Sequence, residues 1–274
     1  MWFPDPTSGD LKHGCESLFD LPFMPRYVVQ LTYDGSRYNG WQRQPDAETV
    51  QGEVEQALST LTQEEIRLSG SGRTDTGVHA DNQFAHFDIP IPVDRNSLLY
   101  RLWRILPDDI YVRDIREVGE HFHARFDAGW RQYRYQLLLH PDPFHRMYAW
   151  YPGERLDWKA MRSCLASLEG EHDFSGFSRK SGELPHSRCT VLSAGIEMQS
   201  GNLVYVRIRA NRFLRSMVRA IVGGLVTVGS GKKNTEWFEK HLKEGMEIDN
   251  IALAPAKGLF LEKVFYPKSV LDLT

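Results

Sequence analysis

Cysteines are scarce in this sequence, and none of them has the spacing of a metal site. Three cysteines stand far apart among the 274 residues, and no CxxC motif is present. The ten histidines form no HExxH motif and no cluster with cysteine. Because metal sites need several such ligands at workable spacing, we predict no bound metal. Three thiols cannot all pair within one chain, so reduced cysteines and a cytoplasmic location fit best.

Long apolar segments and an excess of one charge are missing as well. The longest apolar run, Met217–Val228, is interrupted by Arg219 and two glycines, so no segment is suited to span a bilayer. Lys and Arg number 33 against 36 Asp and Glu, which gives a formal net charge of -3. This balance argues against a polycation that coats nucleic acid without specificity. A local basic cleft is not excluded, because binding depends on how the charge is distributed.

The sequence does contain the pattern of a two-part α+β protein. Its apolar periodicities predict an α+β fold of two α/β halves on a largely antiparallel mixed sheet. The first half spans residues 26–118 and the second spans residues 119–268. Residues 1–25 hold four prolines and four acids with little periodicity, so we expect a flexible extension outside the fold. That segment also lacks the basic start and apolar core of a secretory signal.

Capping residues and periodicity predict the individual helices and strands. Thr49 and Asp94 stand where two helices begin, and Asp157 begins a third. A long, mostly apolar helix is predicted over Phe213–Val228, and a polar surface helix over 235–242. The predicted strands are 27–33, 66–69, 83–89, 110–118, 130–139, 190–198, 203–210 and 259–265, the sixth and seventh of which form a hairpin.

The stretch most informative about chemistry is Ser69–Ala80, with the sequence SGSGRTDTGVHA. Its three glycines let the backbone approach a ligand closely or take positive φ. Asp75 stands in the middle, with Arg73 before it and His79 after it. A generic polar turn would look similar. Phosphate-binding loops do not fit, because the lysine of GxxxxGK[ST] is absent and Asp75 occupies the third glycine position of GxGxxG.

Asp75-Thr76-Gly77 also resembles the aspartic-protease tripeptide, with Asp127-Ala128-Gly129 as the candidate second copy. Such enzymes need two carboxylates that share one proton. Arg73 opposes that sharing, and polar residues stand where the protease class has an apolar strand. The protease is therefore a disfavoured alternative.

A run of arginines without interleaved acids lies in the second half. Arg207, Arg209, Arg212, Arg215 and Arg219 fall within thirteen residues. The first two share one strand face, and the spacing of the other three places them on one face of a helix. Like charges placed in this way need an external polyanion or a buried carboxylate.

Basic residues also alternate with aromatic ones around the predicted strand 130–139. They are Arg125, Arg131, Tyr133, Arg134 and Tyr135. Aromatic rings stack on exposed bases and arginines hold phosphate, although β-strands are rich in tyrosine without any such role. Together with the arginine run, this pattern indicates RNA binding.

These motifs resemble those of one known family. Residues 72–80, GRTDTGVHA, closely resemble the GRTDAGVHA signature of the TruA-type tRNA pseudouridine synthases. Thr76 stands where that family usually has alanine, a change that a loop of small residues tolerates. Further blocks between residues 27 and 266 resemble the family in the same order: Tyr33-Asp34-Gly35, Gly40–Gln44, Thr49-Val50-Gln51, Phe122–Phe126, Tyr133-Arg134-Tyr135, Asn211–Gly223 and Ala256–Leu261.

The resemblance implies a pseudouridine synthase-like fold and an isomerase. Its substrate would be uridine in the anticodon stem-loop of tRNA, at positions 38, 39 and 40. The resemblance also implies that no cofactor, metal or energy source is needed. It further implies a homodimer, whose basic cleft receives tRNA across both subunits.

The resemblance also assigns roles to individual residues. Asp75 is the catalytic residue, acting as nucleophile at C1′ or at the ring, or as base. Arg219 is expected to keep Asp75 ionised, Tyr133 to stack on the flipped uracil or move a proton at C5, and Arg73 to fill the vacated stack. We expect His79 to be structural. The residues expected to bind RNA are Arg125, Arg207, Arg209, Arg212 and Arg215.

A non-catalytic RNA-binding protein of the same fold is the alternative from another functional class. The joint presence of Asp75, Tyr133 and Arg219 argues against it, because RNA binding alone does not require all three. Chemical mapping of pseudouridine in tRNA treated with the protein separates these hypotheses.

Overall fold

The computed structural model describes residues 24–153, 155–179, 186–244 and 251–271. The flexible extension predicted for residues 1–25 therefore lies, apart from its last two residues, outside the described residues. Within the described ranges the chain forms nine strands, five α-helices and the short 3₁₀ turns Ser175–Phe177 and Ala256–Gly258.

The first half begins with a strand and carries two capped helices. Its elements are β1 Arg26–Tyr33, α1 Val50–Thr62, β2 Ser69–Gly70, β3 His79–Asp88, α2 Arg95–Ile105 and β4 Ile110–Val118. The Thr49 hydroxyl accepts a hydrogen bond from the Gly52 amide, and the Asp94 carboxylate accepts bonds from two amides of α2. These caps satisfy amides that have no partner inside the helix, so both helices begin where the sequence predicts.

The second half has the same mixture of strands and helices. Its elements are β5 Trp130–Leu138, α3 Trp158–Ala166, β6 Gly170–Asp173, β7 Arg188–Met198, β8 Leu203–Ala210, α4 Met217–Gly229, α5 Thr235–Glu244 and β9 Leu259–Phe265. Asp157 caps α3, and β7 and β8 form the predicted antiparallel hairpin. The sequence does not predict β6, because its residues are polar and mostly exposed.

The nine strands form one sheet in the order β4-β1-β3-β9-β5-β8-β7-β6, with β2 paired to β3. The β3–β9 pair is parallel and the other pairs are antiparallel. The predicted α+β fold with a largely antiparallel mixed sheet is thus confirmed. Strand β9 lies between β3 of the first half and β5 of the second. The division of the chain at residue 119 stays a prediction.

Helix α4 is almost fully buried, and it is shorter than the sequence predicts. It begins at Met217 rather than at Phe213, because Ser216 takes a left-handed backbone conformation with φ of 60°. Arg212 and Arg215 therefore precede the helix. The prediction that these two arginines share a helical face with Arg219 is wrong.

A close backbone approach fixes the segment before β9 against α4. A Cβ at Gly223 would lie 1.8 Å from the carbonyl oxygen of Ala252, so only glycine permits this packing. The Ala254 amide then donates a hydrogen bond to the carbonyl of Arg219 at 3.1 Å. None of the helices in the described ranges is long and apolar enough to cross a membrane.

Candidate active site

The residues between β2 and β3, here called the Asp75 loop (residues 71–78), are held by the end of β1 and the turn after it. The Tyr33 hydroxyl and the Thr74 hydroxyl lie 2.8 Å apart and share a hydrogen bond. The Trp41 amide donates to the Thr74 carbonyl at 3.1 Å, and the Gly77 amide donates to the Tyr38 carbonyl at 3.3 Å. These contacts fix the backbone on both sides of Asp75.

Two glycines permit this packing of one loop against another. A Cβ at Gly35 would lie 2.0 Å from the carbonyl oxygen of Val78. At Gly40, where φ is +89°, a Cβ would lie 2.5 Å from the carbonyl oxygen of Thr74. A side chain at either position would therefore push the Asp75 loop away. This explains why the Gly35 and Gly40 blocks accompany the GRTD stretch in the sequence.

The Asp75 carboxylate is held by two contacts that end on the same oxygen. Its Oδ2 accepts a hydrogen bond from the Ser216 hydroxyl at 2.9 Å and lies 3.6 Å from Nη1 of Arg219. The one hydrogen bond found for this carboxylate within the described ranges is the bond from Ser216, and it ends on Oδ2. The side chain is 27% exposed. Asp75 is thus held through Oδ2 while its side chain remains partly exposed.

Arg219 reaches Asp75 from the first turn of α4, as the sequence predicts that an arginine should. Its Nε donates to the Ala254 carbonyl at 2.8 Å, which fixes the guanidinium in place. The contact between Arg219 and Asp75 joins the first turn of α4 to the Asp75 loop. The structure therefore brings Asp75 and Arg219 together, although 144 positions separate them in the sequence numbering.

Ser216 is a site residue that the sequence analysis missed. It stands at the N-cap position of α4 but makes no capping bond to its own helix, because its hydroxyl is turned to Asp75. The carboxylate consequently lies beside the N-terminus of α4, where the helix dipole favours negative charge. A serine before an apolar helix usually indicates a cap, so the sequence carries no signal for the contact with Asp75.

Tyr133 on β5 is buried, and its ring packs edge-on against Phe213 at 4.9 Å between centroids. Burial raises the pKa of the Tyr133 phenol well above its ordinary value. The negative charge of Asp75 adds to this shift and Arg131 opposes it. Tyr133 is therefore a neutral phenol at neutral pH, able to donate a proton but not present as phenolate.

Arg131 lies beside Tyr133, but its role is structural. Its guanidinium is buried and donates to the carbonyls of Ser71 at 2.8 Å, Asn211 at 3.0 Å and Ala128 at 3.2 Å, and also to that of Arg125. Burial lowers the pKa of Arg131. By joining Ser71 to Asn211, the side chain ties the start of the Asp75 loop to the segment that leads into α4.

His79 is also enclosed by protein groups. Its Nδ1 lies 3.1 Å from the Gly35 amide, which donates to it, and its Nε2 lies 3.1 Å from the Lys257 carbonyl. Asp34 Oδ1 lies 2.9 Å from the same Nδ1. Burial lowers the pKa of His79, and this outweighs the raising effect of Asp34. The contacts fit the structural role expected for His79, which stays a prediction.

The arginines predicted to bind RNA occupy different surroundings. Arg207 pairs with Glu262 at 2.9 Å and with Glu197. Protein carboxylates thus neutralise its charge, rather than the external polyanion that was the other partner considered for the arginine run. Arg209 donates to Gln132 Oε1 at 2.8 Å and lies over the Trp130 ring. The remaining members of the set, together with Arg73 of the Asp75 loop, are partly or fully exposed: Arg125, Arg212 and Arg215.

Two observations bear on other kinds of chemistry. No group of three or more His, Cys, Asp or Glu side chains in the described ranges could hold a metal ion. Asp127, the second carboxylate that a protease would need, accepts a hydrogen bond from the His123 amide at 2.8 Å. No described contact joins Asp127 to Asp75, so the two carboxylates share no proton.

Comparison with known proteins identifies relatives along most of the chain. The family model described as tRNA pseudouridine synthase matches residues 31–127 and 165–267, which is more than half of the chain. tRNA pseudouridine synthase A of Chlorobaculum tepidum is 42% identical over 239 residues, which cover 87% of this chain and 96% of that protein. The protein of the same name from Bacteroides thetaiotaomicron is 39% identical over 249 residues, covering 90% and 93% of the two chains.

Similarity to solved structures is weaker. A structure of an H/ACA RNP bound to a substrate RNA containing 2'-deoxyuridine aligns with a TM-score of 0.36 at 10% identity. The alignment covers 85% of this chain and 59% of that one.

Proposed function

The chain belongs to the tRNA pseudouridine synthase family, and on that premise we propose that it isomerises uridine to pseudouridine in the anticodon stem-loop of tRNA. Positions 38, 39 and 40 are the proposed targets, and Asp75 is the proposed nucleophile. The observation that carries the proposal is the Asp75 carboxylate, which Ser216 and Arg219 contact through one oxygen only. The other oxygen is the one proposed to meet the substrate.

The reaction breaks the C1′–N1 bond of uridine and forms a C1′–C5 bond, so the uracil must detach, turn and rejoin. In the proposed pathway Oδ1 of Asp75 attacks the nucleoside, at C1′ or at the ring, and is released when the new bond forms. Arg219 and Ser216 hold the charge on Oδ2 meanwhile. The target base leaves its stack first, at a cost of a few kcal/mol, and Arg73 fills the vacated position.

Tyr133 is proposed to stack on the turned uracil and to move its protons. In uridine, N1 bonds the ribose and C5 carries a hydrogen. In pseudouridine, C5 bonds the ribose and N1 carries a hydrogen, so one proton must leave C5 and one must reach N1. A neutral phenol supports this exchange as a proton relay: its oxygen accepts the proton from C5 as its own proton passes to N1, so the phenol ends the exchange neutral. The raised pKa of Tyr133 favours return to the neutral form at the end of the cycle.

Neither alternative function is retained. The protease is wrong, since the chain belongs to an isomerase family and Asp127 is bonded elsewhere. A non-catalytic RNA-binding protein is disfavoured, because such a protein has no need of a carboxylate held by a buried serine and an arginine. We also propose that the enzyme is a cytoplasmic homodimer. In support of the cytoplasm, Cys164 and Cys189 are buried, unpaired thiols.

The test is conversion of an unmodified tRNA transcript with uridine at positions 38, 39 and 40. After treatment with the protein, chemical mapping should detect pseudouridine at those positions. A transcript with cytidine at the three positions is the matched control and should gain none. Pseudouridine at other positions only would refute the proposed target, and none in any tRNA would refute the proposed activity. Sedimentation of the protein alone tests the dimer.

A further inference from the structure

A patch of aromatic rings and arginines lies on an edge of the sheet that the proposed function has not used. Tyr100 and Trp103 on α2 are 61% and 45% exposed, and Tyr111 on the edge strand β4 is 46% exposed. Three exposed arginines accompany them. We call this set the edge platform: Tyr100, Arg101, Trp103, Arg104, Tyr111 and Arg113. Neighbouring exposed aromatic rings that form a contiguous apolar surface can mark an interaction site.

The rings of the edge platform are fixed before any partner binds. Trp103 and Tyr111 stack with centroids 5.5 Å apart and planes inclined by 16°. The indole Nε1 of Trp103 donates a hydrogen bond to the Val112 carbonyl at 2.7 Å. A partner that contacts these rings therefore loses little entropy in ordering them. The flat, ordered rings suit stacking rather than insertion into a groove.

The charges of the edge platform are unopposed. Arg101, Arg104 and Arg113 form no ion pair or hydrogen bond with any side chain or carbonyl in the described ranges. Asp114, the acid next to Arg113, is bonded to Arg95 and Arg116 instead. In a chain of formal net charge -3, three arginines without carboxylates form a local positive patch. Such a patch is complementary to phosphate.

The edge platform lies at the same end of the sheet as the Asp75 loop. Strand β4 pairs with β1, so that Tyr111 stands opposite Thr32 and Ile110 stands opposite Tyr33. The Tyr33 hydroxyl in turn contacts Thr74, the neighbour of Asp75. The edge platform and the Asp75 loop therefore lie at one end of the sheet, so that a single tRNA large enough to span both can be tested for contact with each.

We propose that the edge platform binds a second part of the tRNA whose uridine enters the Asp75 site. An unpaired base stacks on the Trp103–Tyr111 pair, and Arg101, Arg104 and Arg113 contact phosphates. This inference rests on the proposed function, since it takes tRNA as the substrate. Ring stacking and arginine contacts to phosphate are the means by which proteins bind exposed nucleotides. The unopposed arginines favour RNA over a protein partner.

The experiment measures the Kd of unmodified tRNA transcript as a function of salt concentration. Trp103→Ala should weaken binding about tenfold through loss of the stacked base. Trp103→Phe keeps a flat ring and should restore most of the affinity. The double variant Arg101→Ala/Arg104→Ala should reduce the slope of log Kd against log salt by about one unit per lost phosphate contact. Lys240→Ala, an exposed helical charge on α5, is the matched control and should change neither quantity.

Several outcomes would overturn the proposal. An unchanged Kd and slope in the platform variants would show that RNA does not reach this surface. A different result would be a change in the sedimentation of the variants. If their tRNA affinity, measured at the same fraction of dimer as wild type, is also unchanged, the edge platform is a protein interface. The binding series is repeated with variants that also carry Asp75→Asn. Because these proteins are expected not to modify the tRNA, any change in Kd reports binding alone. If wild type converts no uridine, the proposed function fails, while the binding series still decides the edge platform.

Discussion

Two carboxylates in this molecule meet arginine, and their surroundings differ. Glu262 on β9 is almost buried, and both of its oxygens are engaged. Gln132 donates to it at 2.7 Å, Arg207 at 2.9 Å and Arg134 at 3.1 Å. Burial alone would raise the pKa of Glu262, but these bonds lower it. Such a carboxylate joins strands and has no lone pair left for a substrate.

Asp75 is the opposite case. Its contacts to Ser216 and Arg219 both end on Oδ2, and more than a quarter of the side chain is exposed. Both carboxylates have an arginine beside them, so an arginine neighbour alone does not indicate a reactive carboxylate. What distinguishes Asp75 is a partly exposed carboxylate that is held in place through one oxygen.

The largest expected effect comes from exchanging each carboxylate for its amide. We expect Asp75→Asn to abolish pseudouridine formation while the Kd for tRNA changes less than about tenfold, or about 1.4 kcal/mol. Glu262→Gln is the matched variant, and its folded protein should keep activity because Glu262 lies outside the site. Both are read by mapping pseudouridine and by tRNA binding. If the Asp75→Asn variant turns over near the wild-type rate, Asp75 is no more important for activity than Glu262, and the prediction is wrong.

Tyr133 is the residue proposed to supply the proton chemistry that is not assigned to Asp75. Tyr133→Phe keeps the ring and removes the hydroxyl, so tRNA binding should be nearly normal. Turnover should fall at least about 10²-fold, the lower end of what general acid–base catalysis contributes. Tyr133→Leu should also lose the stacking contribution of about 1–3 kcal/mol. A fully active Phe variant would reduce Tyr133 to a stacking surface.

Glu262 and the side chains that donate to it, Gln132, Arg134 and Arg207, form a cluster, here called the Glu262 cluster. We expect its loss to lower the stability of the fold and to leave turnover unchanged. Glu262→Gln should lower the free energy of unfolding by about 2–3 kcal/mol, less than for a fully buried pair because Arg207 is partly solvated. The pKa of Glu262 is lowered in the folded state. Its stabilisation is therefore complete above about pH 4.3, the ordinary value, and is lost as pH falls through the folded pKa.

Denaturation by urea at a series of acidic pH values measures this contribution. Wild type should lose more stability between about pH 5 and about pH 3 than Glu262→Gln does, since the variant has no carboxyl group to protonate. Parallel pH profiles of the two proteins would show that the cluster contributes no stability that depends on the charge of Glu262.

Substitutions at Ser216 test whether its hydroxyl or its backbone matters at the site. Ser216→Gly keeps the left-handed conformation and removes the bond to Asp75, and kcat should fall about tenfold, as for a hydrogen bond to a charged group. Ser216→Asn tolerates the same φ and offers an amide donor, so it should recover part of the rate. Thermal unfolding is measured alongside. If the Gly variant is as active as wild type, Ser216 does not position Asp75.

The smallest effect separates two arginines on one strand. Arg209→Ala should reduce the salt dependence of tRNA binding by about one unit of slope for one lost phosphate contact. Arg207→Ala should reduce it less, because Glu262 and Glu197 already engage that side chain. Equal slopes for both variants would indicate that RNA displaces the carboxylates from Arg207.

How far the sequence predicts this molecule depends on whether a signal is local. Thr49, Asp94 and Asp157 act on amides a few residues away, and their helices begin where predicted. The start of α4 was not predictable in this way. Ser216 is left-handed where the chain meets a loop 141 positions earlier, a contact that no local pattern predicts.

The candidate site follows the same rule. Asp75 and Arg219 could be named from motifs, since those motifs resemble a family whose residue roles are known. Glu262 as the partner of Arg207 could not be named, because the two residues meet across β5, and this depends on the place of β9 in the sheet. Strand order is a property of the whole fold, and no pattern within the thirteen-residue arginine run contains it.

The place of β9 also sets the order in which the molecule can be completed on the ribosome. This strand pairs with β3 through His79 and Ala80 and with β5 through Tyr133, yet it is made after every other described strand. Until residues 259–265 emerge, the elements that carry Asp75 and Tyr133 have no strand between them. Contacts that span so much of the chain slow folding. A nascent chain can therefore form the elements that precede β9 early, but it joins the strands that carry the candidate site only after nearly all of the described chain has been synthesised.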